Sequence, residues 1–174
     1  PLVVLEALGV DYRWASDRIH QFVIQGMADN EAEFAAAGVR YLPYIEPEPG
    51  AGDDLLAALA QKACAVVTDE FPCFHLPGLV AAAGKRLDSR LEAVDSNGLL
   101  PLQRTDRAFP TAHGFRSHSR RLLPDALTEW PVAKPLSSYP ERPVARIAKE
   151  TQERWPMATK KTLAAPAQIV RDLP

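Results

Sequence analysis

The chain has 174 residues, of which 47% are hydrophobic and 24% charged, with a formal net charge of -2. That is ordinary for a soluble globular protein and enough for one compact domain with a tail. The charge excludes a protein that coats nucleic acid through bulk positive charge, although a local basic face is compatible with it.

Two cysteines, Cys64 and Cys73, lack the spacing of a zinc pair and cannot frame a disulfide-rich fold, so they are expected as buried or partly buried free thiols. The first apolar run has no basic leader and is too short to span a bilayer, which points to a cytoplasmic protein without a membrane partner. The sixteen prolines gather at residues 43–49 and 124–166. Proline fixes φ and donates no backbone hydrogen bond, so the last third is expected to hold short helices joined by extended pieces.

In chain order, Leu2-Val3-Val4-Leu5 is a short apolar run suited to a strand buried on both faces. From Ser16 a helical period takes over through Ile19, Phe22, Val23 and Met27, with Ser16 as cap and Gly38 as stop. Residues 39–45 make a second strand, and 46–52 a loop by composition. Asp53 opens a helix carrying Leu55, Leu56 and Leu59. Residues 65–68 make a third strand, 69–77 a loop, 79–87 a helix and 91–94 a fourth strand ending in Asp95-Ser96-Asn97-Gly98.

Strand and helix alternating at this spacing predict a Rossmann-like α/β fold: a three-layer parallel sheet with helices on both faces. Ligands in such sheets sit beyond the carboxyl ends of the strands. The polar residues there are Asp11, Glu46, Thr68, Asp69, Glu70, Asp95, Ser96 and Asn97. Further on, 111–123 reads as a helix with Phe115 and Leu122 on one side and Arg116, Arg120 and Arg121 elsewhere. Residues 131–143 read as an extended connector, 144–155 as a helix with Ile147 inward, and 164–172 as a last short helix. The chain thus divides into an α/β domain over 1–130 and a proline-rich helical linker over 131–174.

No glycine-rich phosphate loop follows a strand, no G-x-S-x-G elbow is present, and the four histidines show no metal-ligand spacing. Two stretches stand out. In Val66-Val67-Thr68-Asp69-Glu70-Phe71-Pro72, a strand ends in a hydroxyl and a carboxylate, which either contact a ligand or cap local amides. In Val94-Asp95-Ser96-Asn97-Gly98, Asp95 and Asn97 suit either a structured exit from the strand or a ligand or interdomain role. Arg104, Arg107, Arg116, Arg120 and Arg121 read as a solvated face or as a nucleic-acid contact.

Taken together these stretches resemble class II-type DNA photolyases of the photolyase/cryptochrome family. The resemblance runs through Pro1-Leu2-Val3-Val4, residues 15–26, Val67-Thr68-Asp69 with Pro72, Val94-Asp95 with Asn97 and Pro101, and residues 112–131 closing in Leu127-Thr128-Glu129-Trp130-Pro131. It implies a light-dependent carbon–carbon lyase that splits cyclobutane pyrimidine dimers in damaged DNA. It also implies FAD held in a C-terminal helical domain outside this chain, none of whose flavin-binding residues are here. The α/β domain of such proteins supports that domain and in many members binds an antenna pigment: a deazaflavin, a folate or a second flavin. By position, Leu8, Tyr44, Thr68, Asp69 and Glu70 are the candidate antenna residues, with no catalytic residue and no metal.

The resemblance further implies a strand and helix preceding Pro1, with that strand central in the sheet. A chain without it leaves ladder groups unpaired on both neighbours and is expected to be poorly stable alone unless something fills the gap. A cryptochrome-like photoreceptor or non-catalytic binding module is the alternative. A nucleotide-binding protein of universal-stress type is a further one, weakened by the missing phosphate loop.

Overall fold

The computed structural model describes residues 1–128 and 130–173. It is a mixed α/β protein whose strands are all short and parallel, but they form two separate two-stranded sheets rather than one continuous sheet. The chain divides into two compact units, residues 1–59 with 134–174, and residues 60–133.

In the first unit, β1 (Val3–Leu8) and β2 (Arg40–Ile45) pair in parallel from Val3 opposite Arg40 to Leu8 opposite Ile45. The crossover between them is α1 (Asp17–Ala36). Ser16 caps it by accepting from the Ile19 amide, and Gly38 at φ +66 ends it in the left-handed conformation that glycine takes without a Cβ penalty. Its buried stripe is His20, Ile24 and Met27, while Phe22 is 76% exposed and Ile19 also faces outward. Apolar residues occupy two sides of this helix, and only the side one helical turn apart at 20, 24 and 27 meets the sheet.

Side chains alternate across a strand, and here both faces of the small sheet are covered. On one face Leu8 packs with Ile24 and Met27 of α1, and with Leu163 and Val170. The latter two come from α6 (Lys160–Leu163) and α7 (Pro166–Asp172). On the other face Tyr44 packs with Trp155 and with Leu55 of α2 (Leu55–Ala60), flanked by Leu5 and Met157. The C-terminal residues read from sequence as a linker therefore supply three large side chains to the core of this unit.

Ala158 N–H donates to the Pro43 carbonyl at 2.8 Å and Arg40 Nε to the Ala145 carbonyl at 3.0 Å, so the same segment lies along β2. That docking explains a difference from the sequence expectation. α5 (Lys149–Arg154) starts five residues later than the expected helix, because Ala148 is still extended at ψ 143. The 131–143 connector holds a turn of 3-10 helix, Pro135–Ser138.

In the second unit, β3 (Ala65–Asp69) and β4 (Arg90–Val94) pair in parallel through α3 (Leu76–Arg86). Pro77, expected in the loop, falls in the first turn of α3, where its missing N–H costs nothing. α3 lies on the face that carries Leu91; a Cβ at Gly84 would stand 3.7 Å from the Leu91 side chain. The opposite face is open, with Val67 at 64% and Val94 at 49% exposure. α4 (Ala112–Ala126) follows, capped by Thr111, whose hydroxyl accepts from the Gly114 amide.

Among the described residues of this unit only Ala60 and Ser119 are buried. The two thiols belong to it and are exposed, contrary to the expected burial: Cys64 precedes β3 and Cys73 sits in the loop after it, and no packed core lies over either end.

Candidate functional site at the strand ends

The carboxyl ends of β3 and β4 lie side by side, and the two stretches singled out in the sequence are joined there. Glu70 N–H donates to the Val94 carbonyl at 2.8 Å, extending the ladder by one residue. The Ser96 hydroxyl donates to Asp69, and the Asn97 side-chain amide donates to the Glu70 carbonyl. Asp95 turns back on its own loop: Oδ1 accepts from the Asn97 amide at 3.3 Å and Oδ2 from the Gln103 amide at 3.1 Å. Gln103 in turn donates through Nε2 to the Glu70 carboxylate. Gly98, at φ +98, makes the reversal between these partners.

Partial burial of the Asp95 carboxyl works against its charge, but the amide hydrogen bonds from Gln103 and Asn97 outweigh it and hold the group below the usual carboxylate range. Asp95 and Asn97 both bond within the turn that leaves β4. Gln103, which closes the cluster, was not legible in the sequence; nothing in its neighbourhood marks it.

Two aromatic rings flank this edge. Phe71 and Phe74 stand nearly parallel, 8° apart in tilt with centroids at 6.5 Å, and they are 38% and 68% exposed. Phe74 has φ +60, a conformation that costs a non-glycine residue of order 1 kcal/mol or more. His75 at the start of α3 offers no side-chain cap. The edge therefore combines carboxylates, a hydroxyl, an amide and two flat apolar surfaces, a set suited to a planar ligand with polar edges.

The five candidate antenna residues are divided between the two units. Thr68, Asp69 and Glu70 lie on the edge just described. Leu8 and Tyr44 belong to the first unit, on opposite faces of its sheet, 6% and 3% exposed. Burial, with the nearby Glu46 charge, pushes the Tyr44 phenol up. Glu46, at the end of β2, spends its carboxylate on three backbone amides: Val10 at 3.1 Å, Gly50 at 2.9 Å and Gly52 at 3.2 Å.

Elsewhere, a depression of about 420 Å³ lies on the outer surface of α1, lined by Arg18, Ile19, Gln21, Phe22 and Gln25. Among the described residues no group of three or more His, Cys, Asp or Glu could hold a metal ion, and no helix is long and apolar enough to cross a membrane. No family model, no curated protein and no solved structure matches the chain.

Proposed function

We propose that the chain is the N-terminal α/β domain of a light-dependent DNA repair enzyme of the class II photolyase type. In such an enzyme the lesion chemistry belongs to an FAD-bearing helical domain outside these residues. The observation that supports this reading is the meeting of two of the stretches that carry the resemblance. Val67-Thr68-Asp69 and Val94-Asp95 with Asn97 end neighbouring parallel strands and are tied by the hydrogen bonds of Ser96 and Asn97.

The two strand pairs are, on this reading, parts of one three-layer sheet whose central strand would lie between β1 and β3. Support comes from the open state of the second unit. Parallel sheets are normally covered on both faces, yet the Val67 face is exposed and β3 has a single strand neighbour.

For an antenna pigment, the residues that fit are those of the β3 edge. Asp69, Glu70 and Thr68 would bond the polar rim of a planar ring system, and Phe71 and Phe74 would stack on it. Leu8 and Tyr44 are packed into cores and would act through the shape of the fold. Such a pigment, when bound, supplies light absorption; the side chains supply position and orientation.

The test is repair of cyclobutane thymine dimers by the protein purified together with its flanking coding sequence. Dimer loss that requires light, and none in the dark, is the expected result. A protein that carries no flavin and leaves dimers intact under illumination contradicts the assignment.

A further inference from the structure

Charge in the second unit is segregated. Residues 104–121 contain five arginines, no lysine and a single acid, Asp106, for a local charge of 5 − 1 = +4 with His neutral, in a chain whose net charge is -2. Arg104, Arg107, Arg116, Arg120 and Arg121 are all exposed. Among the described residues no carboxylate pairs with any of them.

On α4, Arg116 and Arg120 are one helical turn apart and therefore neighbours on one face, with Arg121 adjacent. Like charges at that spacing destabilise a helix unless an anion lies across them.

The loop before α4 is fastened to the helix by rings. Phe109 meets Phe115 edge-on at 5.7 Å and His118 at 4.9 Å, and His118 Nε2 lies 3.3 Å from the Thr105 hydroxyl. The Arg107 guanidinium rests over Phe109 at 5.1 Å. The loop that carries Arg104 and Arg107 and the helix that carries Arg116, Arg120 and Arg121 are thus joined through these rings into one platform, and Phe115 among the rings is 51% exposed.

We infer that this platform is a docking surface for single-stranded nucleic acid, independent of any lesion, cofactor or light. The arginines take successive phosphates and Phe115 takes a base. Two features favour this partner. Guanidinium forks match phosphate oxygens in pairs, and the bias to arginine over lysine is complete. Each nucleotide also offers both an anion and a flat apolar face, and the surface presents the complement of both within a few residues. An acidic polypeptide would engage the charges and leave the aromatic face without a partner. The inference does not rest on the repair reading, because it uses only residues of the second unit.

The experiment is fluorescence anisotropy of a labelled oligothymidylate with the 174-residue chain, in the dark, across a salt series. The chain is expected to bind at low salt and to lose affinity as salt rises. The triple variant Arg116→Gln, Arg120→Gln, Arg121→Gln should lower the slope of log affinity against log salt by about 2, at about 0.7 per phosphate contact. Phe115→Ala should weaken binding by about fivefold or more while leaving that slope unchanged. The three arginines replaced by lysine should keep the slope, which separates lost charge from lost folding. No binding at low salt, or a slope the triple variant does not alter, overturns the inference. Equal affinity for polyglutamate, with the same arginine dependence and no effect of Phe115→Ala, overturns it in favour of an acidic protein partner.

Discussion

At the scale of single residues, the first unit depends on a few side chains whose partners no local pattern marks. Glu46 sits alone after a strand, yet its two oxygens satisfy the amides of Val10, Gly50 and Gly52 and so join two loops. Glu46→Ala leaves three donors without their acceptor and should cost about 1–3 kcal/mol, read by urea unfolding. Glu46→Gln keeps an acceptor and should cost less.

Trp155 is 3% exposed and its Nε1 donates to the Ala51 carbonyl at 3.0 Å. Trp155→Ala should lose roughly 3–5 kcal/mol. Trp155→Phe should lose less, since it keeps most of the volume and forfeits the hydrogen bond.

The tyrosines give a pH signature. Burial, then the hydrogen bond to Glu6, push the Tyr41 phenol up, and burial does the same for Tyr44. Both are neutral in the folded protein where an unfolded tyrosine would ionise, at about pH 10. Their contribution is present below that value and falls away as pH rises above it. Phenolate absorbance should therefore show two of the four tyrosines ionising late, together with unfolding. All four titrating as free phenols would contradict the burial of Tyr41 and Tyr44.

At the scale of elements, the parts of the chain with local causes were legible. The Ser16 cap, the Gly38 stop, the four strands and the helices that cross between them follow from apolar period and from capping chemistry. The burial direction of α1 did not, because Ile19, Phe22, Ile24 and Met27 offer two apolar sides and only tertiary contact selects between them. The start of α5 did not either, since the residues before it meet a distant strand, where Arg40 Nε donates to the Ala145 carbonyl.

The strand-end cluster was half legible. Asp95 and Asn97 stood out by composition, whereas Gln103 and the Phe71–Phe74 pair depend on loops folding back. Asp95 titrates below its ordinary range in the folded protein. Its hydrogen bonds therefore help above the unfolded value of about 3.9 and are lost as pH falls through the lower, folded one. Amide exchange at Gln103 and Asn97 should accelerate in that acid window, and Asp95→Ala should make it fast at neutral pH. Exchange there that ignores both acid and the substitution would remove Asp95 from its bracing role.

At the scale of the whole molecule, the two units differ in what they bury. The first packs apolar side chains on both faces of its sheet. The second leaves Val67, Leu79 and Val94 about half or more exposed and buries only Ala60 and Ser119 among its described residues. Burial of apolar area is the main stabilising contribution, at about 25 cal/mol per Å². The second unit should therefore unfold at lower denaturant than the first, giving two phases by amide exchange or by site-specific probes. A single cooperative transition through both would contradict the division. On the proposed reading, a strand outside these residues would account for both the division and the exposure. Each two-stranded sheet has edges whose ladder groups can take a further strand.

The most direct test of that explanation is amide hydrogen exchange along β1 and β3, in the chain alone and in the protein made with its flanking coding sequence. If both pairs belong to one sheet, outward-facing amides on both strands should exchange quickly in the isolated chain and become strongly protected in the longer protein. Fast exchange on either strand in both proteins would contradict a shared sheet and with it the three-layer architecture that the repair-enzyme assignment requires.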